Sequence, residues 1–277
     1  MPAPPEPSEH LPDMPWAIVQ LKNQSFAIAA QDMREMLLLP EVAALPDVPD
    51  YVRGVINLRG RVLPLVDLRK RIGMTSAADE TSAFCNLMVQ REQDHRKWLA
   101  ELDASVSERR KFKLTNDPHQ CAFGKWYDHY RAENAWVAAL LAKFAEPHKK
   151  IHGVAGQVEE LVAAGRCEQA AQVIADTRAT TLSLMIGLFA ELKNLVRETQ
   201  RETAVILTVS GRTFAISVDS AISVEKLAPG SVTPLPAGTS IRGDAVIRRV
   251  GRRARHDRPL LLIEANRILD PSVAVPD

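Results

Sequence analysis

Hydrophobic and polar residues alternate in two different ways along the chain, and the change between them divides it into blocks. Residues 16–80 and 201–271 carry short apolar runs separated by turn residues, which predict β-strands and hairpins. Residues 81–200 instead carry apolar residues at three- and four-residue spacing, which predicts amphipathic helices. Residues 1–15 contain six prolines and no apolar stretch, so we expect a flexible tail there.

The two β blocks open with the same hairpin pattern. In AIVQLKNQSFAIAA two apolar runs flank the turn Lys22-Asn23-Gln24, and in AVILTVSGRTFAIS two similar runs flank Ser210-Gly211-Arg212. Because later segments also correspond in order, we predict an internal repeat of two similar lobes, each of about five strands and each built from one block. The corresponding segments are residues 52–55 with 241–244 and residues 62–68 with 258–264.

The middle block predicts a separate helical domain. Apolar residues recur at helical spacing in residues 82–104, 133–165 and 167–199, and Gly165 stands where a helix should end. An up-and-down bundle with an even number of helices returns its ends to one pole, so it can be inserted into a loop of a host domain. The predicted fold class is therefore multidomain: an all-β host in two parts, split by an inserted all-α four-helix bundle.

The composition is that of a folded protein without a membrane span. Hydrophobic residues make up 46% of the chain and charged residues 25%, which argues against disorder. The formal net charge of +1 argues against a whole-protein polyanion binder. We expect neither a transmembrane helix, since no apolar run reaches about 18 residues, nor a secretory signal. Three cysteines, an odd number, favour a reduced, cytoplasmic setting over a disulfide framework.

One strongly basic segment raises the question of a negatively charged partner. The run from Arg248 to Arg258 holds six arginines in 11 residues, and such a run can attract nucleic acid or acidic lipid. No aromatic residues are interleaved for base stacking. We therefore interpret the run as a solvated hairpin tip and expect no nucleic-acid partner.

Four residues of the helical block have side chains that bind transition metals. His148 and His152, four residues apart in EPHKKIHGVAG, share one face of a helix and can reach one ion. His95 lies mid-helix in QREQDHRKWL, and Cys121 lies at a helix start, where a thiolate is favoured. Three imidazoles and one thiolate suit tetrahedral zinc better than calcium or magnesium, which prefer oxygen ligands.

Spacing alone leaves alternatives to this ligand set. The H-x3-H pair is also compatible with ordinary surface polarity. His119 and His129 lie close to Cys121 in sequence and are alternative ligands, although we expect them to be exposed. Cys85 and Cys167 are expected to be buried and to act as small apolar residues.

The run Cys121-Ala122-Phe123-Gly124-Lys125-Trp126-Tyr127 resembles the C-x-F/L-G-x-W signature of chemoreceptor zinc-binding (CZB) domains. That family also has an upstream histidine ahead of a Trp-Leu pair, matched by His95 and Trp98-Leu99, and a downstream H-x3-H, matched by His148 and His152. The resemblance covers residues 82–199. It implies a Zn²⁺ cofactor in a cytoplasmic bundle that senses zinc or oxidants. The ligands it implies are His95, Cys121, His148 and His152.

Residues 52–68, VRGVINLRGRVLPLVDL, resemble the RG-x-I-N-L-R-G-x-x-x-P-V-x-D-L stretch of CheW-like chemotaxis coupling proteins. Residues 203–270 resemble the second lobe of that family more weakly. Asp244 stands there where an apolar residue is usual, and Glu264-Ala265 replace an acidic-apolar-acidic ending. The resemblance implies two small SH3-like β barrels without catalytic machinery. It also implies two partners, the signalling tip of a chemoreceptor (a methyl-accepting chemotaxis protein) and a CheA-type histidine kinase.

Arg59 and Asn57 are the candidate partner-binding residues. Arg59 resembles the family's arginine beside the binding surface, and its alternative role is that of a turn arginine that pairs with Asp67 or caps a carbonyl. Asn57 is expected to orient the same turn, and Gly54 and Gly60 to serve turns.

The sequence therefore predicts a cytoplasmic chemotaxis adaptor that is not an enzyme and does not insert into a membrane. It is expected to couple chemoreceptors to a CheA-type kinase and to carry a zinc-binding bundle as a sensor. The alternatives are a constitutive scaffold with purely structural zinc and a zinc-dependent hydrolase. Four protein ligands would close the zinc to water, and the chain carries no HExxH motif.

Overall fold

The computed structural model describes residues 14–228, 230–236, 246–253, 256–271 and 273. The chain forms two compact units. The first, the β unit, takes its residues from both ends of the chain, up to residue 77 and from residue 201 onward, and the second, the helical unit, is residues 78–200. Most of the predicted tail lies outside the described residues, and so does the segment 241–244 with Asp244.

The described part of the β unit contains twelve strands, one short α-helix and two 3-10 turns, Ala30–Asp32 and Ala265–Arg267. Before the helical unit these are β1 Pro15–Leu21, β2 Gln24–Ala29, β3 Met33–Leu38, β4 Val42–Ala43, β5 Val52–Leu58, β6 Arg61–Asp67 and α1 Leu68–Arg71. After it they are β7 Thr203–Val209, β8 Arg212–Val218, β9 Ser220–Lys226, β10 Val232–Pro234, β11 Ile247–Arg253 and β12 His256–Ile263.

Two six-stranded sheets of the same design make up the β unit. One has the order β10-β11-β12-β2-β1-β9 and the other β4-β5-β6-β8-β7-β3. Strand for strand the two orders correspond, with hairpin β1–β2 in the place of hairpin β7–β8. In each sheet a parallel pair, β12 with β2 or β6 with β8, joins the hairpin to three other strands. An antiparallel pair, β1 with β9 or β7 with β3, joins it to the fourth. The topology thus contains an internal repeat.

The opening hairpins are exchanged between the two lobes, which differs from the expectation that each sequence block builds its own lobe. Hairpin β1–β2 lies in the sheet of β9–β12, and hairpin β7–β8 lies in the sheet of β3–β6. The reason is that a hairpin pattern specifies the pairing of its own two strands but not the partner of its outer edge. Here Phe26 of β2 pairs with Leu261 of β12, and Ala215 of β8 with Leu65 of β6.

Tight two-residue turns close the hairpins. Ser210 and Gly211 between β7 and β8 have φ of 51° and 80°, and Arg59 and Gly60 between β5 and β6 have φ of 52° and 86°. Positive φ at both central residues is the type I′ arrangement, which matches the twist of paired strands. The first hairpin turns at Lys22, where φ is 51°. The main core of the β unit lies between these strands and includes Phe26, Val66, Leu207, Phe214 and Ile263.

The helical unit consists of three long helical stretches and two short helices within the described residues. The predicted helix over 133–165 is interrupted at Lys143-Phe144, and its second part ends before Gly165, which has a φ of 76°. A π turn, Arg178–Leu182, joins the last two helices into one stretch. The helices are α2 Ala77–Ser107, α3 Ala122–Tyr127, α4 Ala135–Ala142, α5 Ala145–Ala163, α6 Cys167–Thr177 and α7 Ser183–Thr199.

The core of the helical unit is centred on three phenylalanines, Phe123, Phe144 and Phe189, none of which is accessible to solvent. Among the described residues, one helical stretch, Cys167–Thr199, is long and apolar enough to cross a membrane by length and composition alone. A core helix passes the same test, and Met185, Leu188 and Phe189 of this stretch pack into the core. The absence of a membrane span stays a prediction.

Candidate metal centre

Three separate segments bring the candidate ligands together. His95 lies in the middle of α2, and His148 and His152 lie one turn apart in the first half of α5. Cys121 is the N-cap residue of α3. One ligand atom from each of the four residues lies within 4.8 Å of the others. Cys121 Sγ lies 3.2 Å from His148 Nε2.

The histidines present nitrogens that no other group uses. Nδ1–H of His95 donates to the backbone carbonyl of Arg91 at 2.7 Å, which leaves Nε2 with its lone pair free. In the described part of the chain, Nε2 of His95 and both ring nitrogens of His152 are buried without a hydrogen-bond partner. Buried polar atoms are nearly always paired, so these nitrogens are suited to bind a ligand.

The backbone around Cys121 is shaped by a glycine. The Gly124 N–H donates to Cys121 Sγ at 3.2 Å, and this bond caps α3. A Cβ on Gly124 would lie 1.9 Å from the Pro118 carbonyl oxygen, closer than any real contact. The glycine of the C-x-F-G signature therefore lets the segment before Cys121 fold tightly against α3.

Aromatic rings surround the histidines. Phe123 lies 4.9 Å from His148 and 5.6 Å from His95 between ring centroids, and Trp98 lies 4.9 Å from His152. The Trp98 indole N–H also donates to the Thr115 carbonyl at 2.7 Å, which ties α2 to the segment that leads to Cys121. The rings keep the three imidazoles away from water: His95, His148 and His152 are 3%, 5% and 1% exposed.

Burial controls the protonation of these groups. It lowers the pKa of His148 to about 3 and of His152 to about 4, and the charge of neighbouring histidines adds to the effect. Burial lowers the pKa of His95 in the same way. The imidazoles are therefore neutral, which is the form that binds metal.

The thiol behaves differently from the sequence-based expectation. The helix start does supply two backbone N–H groups, of Gly124 and Phe123, that lower the pKa of Cys121. Burial outweighs them and raises this pKa above its usual value. A bound cation would reverse the balance, because metal coordination deprotonates a thiol.

The donor set fits zinc. Tetrahedral bonds of about 2.0 to 2.3 Å place ligand atoms roughly 3.3 to 3.8 Å apart, so an atom group within 4.8 Å needs only a small contraction. Nitrogen and sulfur donors suit zinc, whereas calcium and magnesium require oxygens.

A cavity opens beside the cluster. It has a volume of about 370 Å³ and borders Cys121, His95 and His152, with Lys97 and Gln120 among its other residues. Cys121 is half-buried, whereas the three histidines are buried. Among the four candidate ligands, the sulfur is therefore the atom most open to small solutes.

The alternative ligands lie outside the cluster. The side chain of His119 is 70% exposed and its Nδ1 contacts Asp128 Oδ2 at 2.9 Å, which raises the pKa of His119. His129 is exposed and its Nδ1 bonds to the Lys125 carbonyl. All three cysteines in the described residues are free. Cys85 is buried as expected, but Cys167 is only half-buried, because it begins α6.

Both candidate partner-binding residues lie at the turn between β5 and β6. The Arg59 side chain is 80% exposed and pairs with Glu35 at 2.9 Å, not with Asp67. The side-chain oxygen of Asn57 accepts from the Gly60 N–H at 2.8 Å, so Asn57 does orient the turn. Whether either residue contacts a partner stays a prediction.

The arginine-rich run lies on the hairpin of β11 and β12, and residues 254–255 fall outside the described residues. The expectation of a fully solvated tip is incomplete. The Arg253 side chain is 8% exposed and pairs with Glu225 at 2.7 Å, and Arg258 donates to the Asn23 carbonyl at 2.9 Å.

Sequence reasoning missed the residues that support the ligands. The carbonyl of Arg91 lies four residues before His95, one helical turn away, so this partner follows from helix geometry once His95 is known to be helical. The contact of Gly124 with Pro118 and the bond of Trp98 to Thr115 have no such local signal, because both depend on the path of the segment before Cys121.

Two families match the chain. Residues 16–110 match the CheW-like domain, and residues 95–159 match the chemoreceptor zinc-binding domain. All four residues of the cluster lie within the second match. Both resemblances drawn from the sequence are confirmed, as is the fold class of CheW-like β sheets with a helical region between them. The predicted Zn²⁺ cofactor is confirmed by the zinc-binding domain together with a cluster able to hold a metal.

Curated relatives match short parts of the chain. A probable chemotaxis protein CheW of Rhizobium etli is 38% identical over 71 residues, 26% of this chain and 45% of the relative. The chemotaxis protein CheW of Rhizobium meliloti is 44% identical over 55 residues, 20% of this chain and 36% of the relative. The chain thus spans less than half the length of these relatives.

A solved structure, described as the crystal structure of scaffolding protein TtCheW from Thermoanaerobacter tengcongensis, is similar to 91% of this chain. The likeness covers 89% of that protein, with a TM-score of 0.42 and 13% sequence identity.

Proposed function

We propose that the protein is a cytoplasmic chemotaxis adaptor. Its CheW-like part would couple the signalling tips of chemoreceptors to a CheA-type histidine kinase, and its inserted domain would sense zinc or oxidants. The observation that carries the proposal is the four-residue cluster of the helical unit, which lies within a matched zinc-binding domain. The helical unit that holds this cluster separates the two parts of a CheW-like sheet arrangement.

His95, Cys121, His148 and His152 are the proposed ligands. The free Nε2 of His95, the unpartnered ring nitrogens of His152 and the neighbouring Cys121 Sγ and His148 Nε2 support this set. Zinc in a closed four-ligand site supplies folding energy, because it links segments that are far apart in the chain. Here it would link α2, α5 and the start of α3.

Cys121 is the proposed point at which an oxidant acts. A two-electron oxidant that reaches the sulfur through the adjoining cavity converts the thiolate to a sulfenic acid, which no longer serves as a ligand. The three buried histidines then lack one corner of the site, and α2 and α5 are freer to shift.

The protein is proposed to have no catalytic activity. Four protein ligands leave no open position for a substrate or a water molecule. Glu146, two residues before His148, is exposed to solvent at the first turn of α5. Glu146 does not line the cavity beside the cluster, so it is not placed to act as the general base of the hydrolase alternative.

Metal analysis of single variants tests the ligand set. Wild type is expected to contain about one zinc ion per chain, and replacing any proposed ligand by alanine to remove most of it. His119→Ala and His129→Ala are matched controls, because both histidines lie near Cys121 in sequence but outside the cluster, and they should keep the metal. Full zinc content in the Cys121→Ala variant would contradict the proposed site.

Partner binding with and without a chelator tests the sensing role. The affinity for a CheA-type kinase and for a chemoreceptor tip is expected to differ between the zinc-loaded and chelated protein. Equal affinities would support the second candidate, a constitutive scaffold with structural zinc, which the deep burial of three ligands favours. Retention of zinc under a mild oxidant would support the same candidate.

A further inference from the structure

Both chain connections to the helical unit start from one sheet. Before the insert, β6 ends at Asp67 and continues into α1, and after it the chain re-enters at β7 from Thr203. In the order β4-β5-β6-β8-β7-β3, only β8 separates these two anchor strands. Any change in the helical unit that reaches the β unit along the chain therefore arrives in this sheet.

An ion pair links the return point of the chain to β5. Glu202, the residue before β7, accepts from Arg53 of β5 at 2.6 Å, and the two side chains are 10% and 20% exposed. Arg53 also lies 3.4 Å from the Ser217 hydroxyl on β8. The pair thus connects strands that lie on opposite sides of β6 and β8.

Asp67 lies at the exit point. It is 1% exposed, and one carboxylate oxygen accepts from the Lys70 N–H at 3.0 Å, while the other has no hydrogen-bond partner within the described residues. Burial raises the pKa of Asp67, and the Glu202 carboxylate adds to this while Arg53 opposes it. A buried, half-satisfied carboxylate is costly, and the Arg53 charge is one of the groups that offset this cost.

The exit helix is held firmly on its other sides. Arg69 of α1 pairs with Asp219, and its side chain is 7% exposed. Arg71 donates to the backbone carbonyls of Ile268 and Arg267, both at 2.7 Å. These contacts fix α1 within the β unit, so the exit point of the chain is anchored there.

We propose that Arg53, Asp67 and Glu202 form a latch that transmits the metal state of the helical unit along β5 to the turn that carries Asn57 and Arg59. The strand that holds Arg53 runs directly into this turn, six residues on, or roughly 20 Å at about 3.3 Å per residue. The inference rests on the proposed function, since it supplies the route by which the metal site would affect partner binding.

The latch requires two states of this ion pair, because coupling between distant sites needs an element with two discrete arrangements. With Glu202 paired, Arg53 balances two neighbouring carboxylates. If β7 moves and the pair opens, Asp67 and Glu202 lose this compensation, and the loss of a partner for a part-buried charge is strongly unfavourable. Arg53 must then find a new position, and β5 moves with it.

Hydrogen exchange of the full chain tests the latch. In zinc-loaded wild type, a chelator is expected to speed exchange in α5 and also in β5 and its turn, on the order of tenfold. In Glu202→Gln the α5 response should persist while the β5 response is lost. Glu264→Gln is the matched control, because Glu264 pairs with Arg267 at the same distance of 2.6 Å but outside the latch, and it should respond as wild type does.

A β5 response in Glu202→Gln equal to that of wild type would overturn the latch. The latch would also be overturned if, in wild type, the chelator changed exchange in α5 but not in β5. That result would not contradict the zinc site of the proposed function. No response in α5 would contradict both. If Glu202→Gln does not fold, Arg53→Lys serves instead, because it keeps the charge but offers only one donor group. The latch predicts a weakened β5 response to the chelator in this variant, and an undiminished β5 response would overturn it.

Discussion

Gly124 illustrates how one residue without a functional side chain shapes the metal centre. Its N–H caps α3 through the Cys121 sulfur, and its Cα faces the Pro118 carbonyl where no side chain fits. The aromatic and histidine residues nearby are held by packing, but the position of the sulfur depends on this close backbone contact.

Gly124→Ala is expected to weaken zinc binding on the order of 10- to 100-fold, the range typical of residues that support metal ligands. The added methyl group would push the segment before Cys121 away from α3. The measurement is competition with a chromophoric chelator. Gly187→Ala is the control, because Gly187 is an exposed glycine within α7 with nothing near its Cβ position. This variant should keep its zinc affinity and gain about 0.4 to 1 kcal/mol in stability. Equal zinc affinities of the two variants would contradict this account of Gly124.

Substitutions of Arg59 and Asn57 are expected to differ in their effect on the free energy of unfolding. The Arg59–Glu35 pair is exposed, so Arg59→Ala should change the free energy of unfolding by less than about 1 kcal/mol. Asn57→Ala leaves the Gly60 N–H without its acceptor and should cost about 1 kcal/mol. Denaturant unfolding measures both. A loss of partner binding in Arg59→Ala at unchanged stability would therefore identify a contact residue, whereas binding equal to wild type would exclude Arg59 from the interface.

Local sequence patterns predicted contacts between residues of the same helix or strand. They did not predict contacts between residues that are far apart in the chain. The face shared by His148 and His152 follows from helix geometry alone. The pairing of Arg53 with Glu202 joins residues 149 positions apart, and nothing in either neighbourhood indicates it. Cys121 and His95 were candidates from their donor chemistry, but only the resemblance to a known family selected them over His119 and His129, because an isolated cysteine or histidine has no diagnostic spacing.

At the scale of elements, hairpins were predictable and their partners were not. Both opening hairpins follow from apolar runs about a short turn, and the structure contains them. Their exchange between the sheets depends on the parallel pairs β2 with β12 and β6 with β8, which form across most of the chain length. The interruption of the helix over 133–165 was also missed, because the apolar spacing continues through Lys143-Phe144.

The exchanged hairpins predict that residues 201–277 do not fold alone. In that fragment β9–β12 would lack β1 and β2, and hairpin β7–β8 would lack both of its neighbours, β3 and β6. An isolated hairpin is at best marginally stable in water. Circular dichroism and denaturant titration should show no cooperative transition, and addition of residues 14–77 in trans should restore one. Cooperative unfolding of the fragment by itself would contradict the exchange.

At the scale of the whole molecule, the insertion separates two sets of buried residues. Among the described residues, the core of the helical unit takes all its members from within 78–200, and the cores of the β unit take theirs from outside it. All four candidate ligands lie in the helical unit. Folding of each unit is thus expected to depend on its own residues, even though the chain of one is interrupted by the other.

Excision tests this independence. Replacing residues 78–200 by a flexible Gly/Ser linker of about ten residues should leave a β unit that unfolds cooperatively and contains no zinc. The excised segment alone should bind zinc and, at a free zinc concentration of about 1,000 times its dissociation constant, gain roughly 4 kcal/mol in stability. Calorimetry of both proteins measures this. A β unit that does not fold without the insert would show that the two units stabilise each other. A stable β unit whose affinity for partners no longer changes with zinc would show that zinc-dependent binding requires the joined chain.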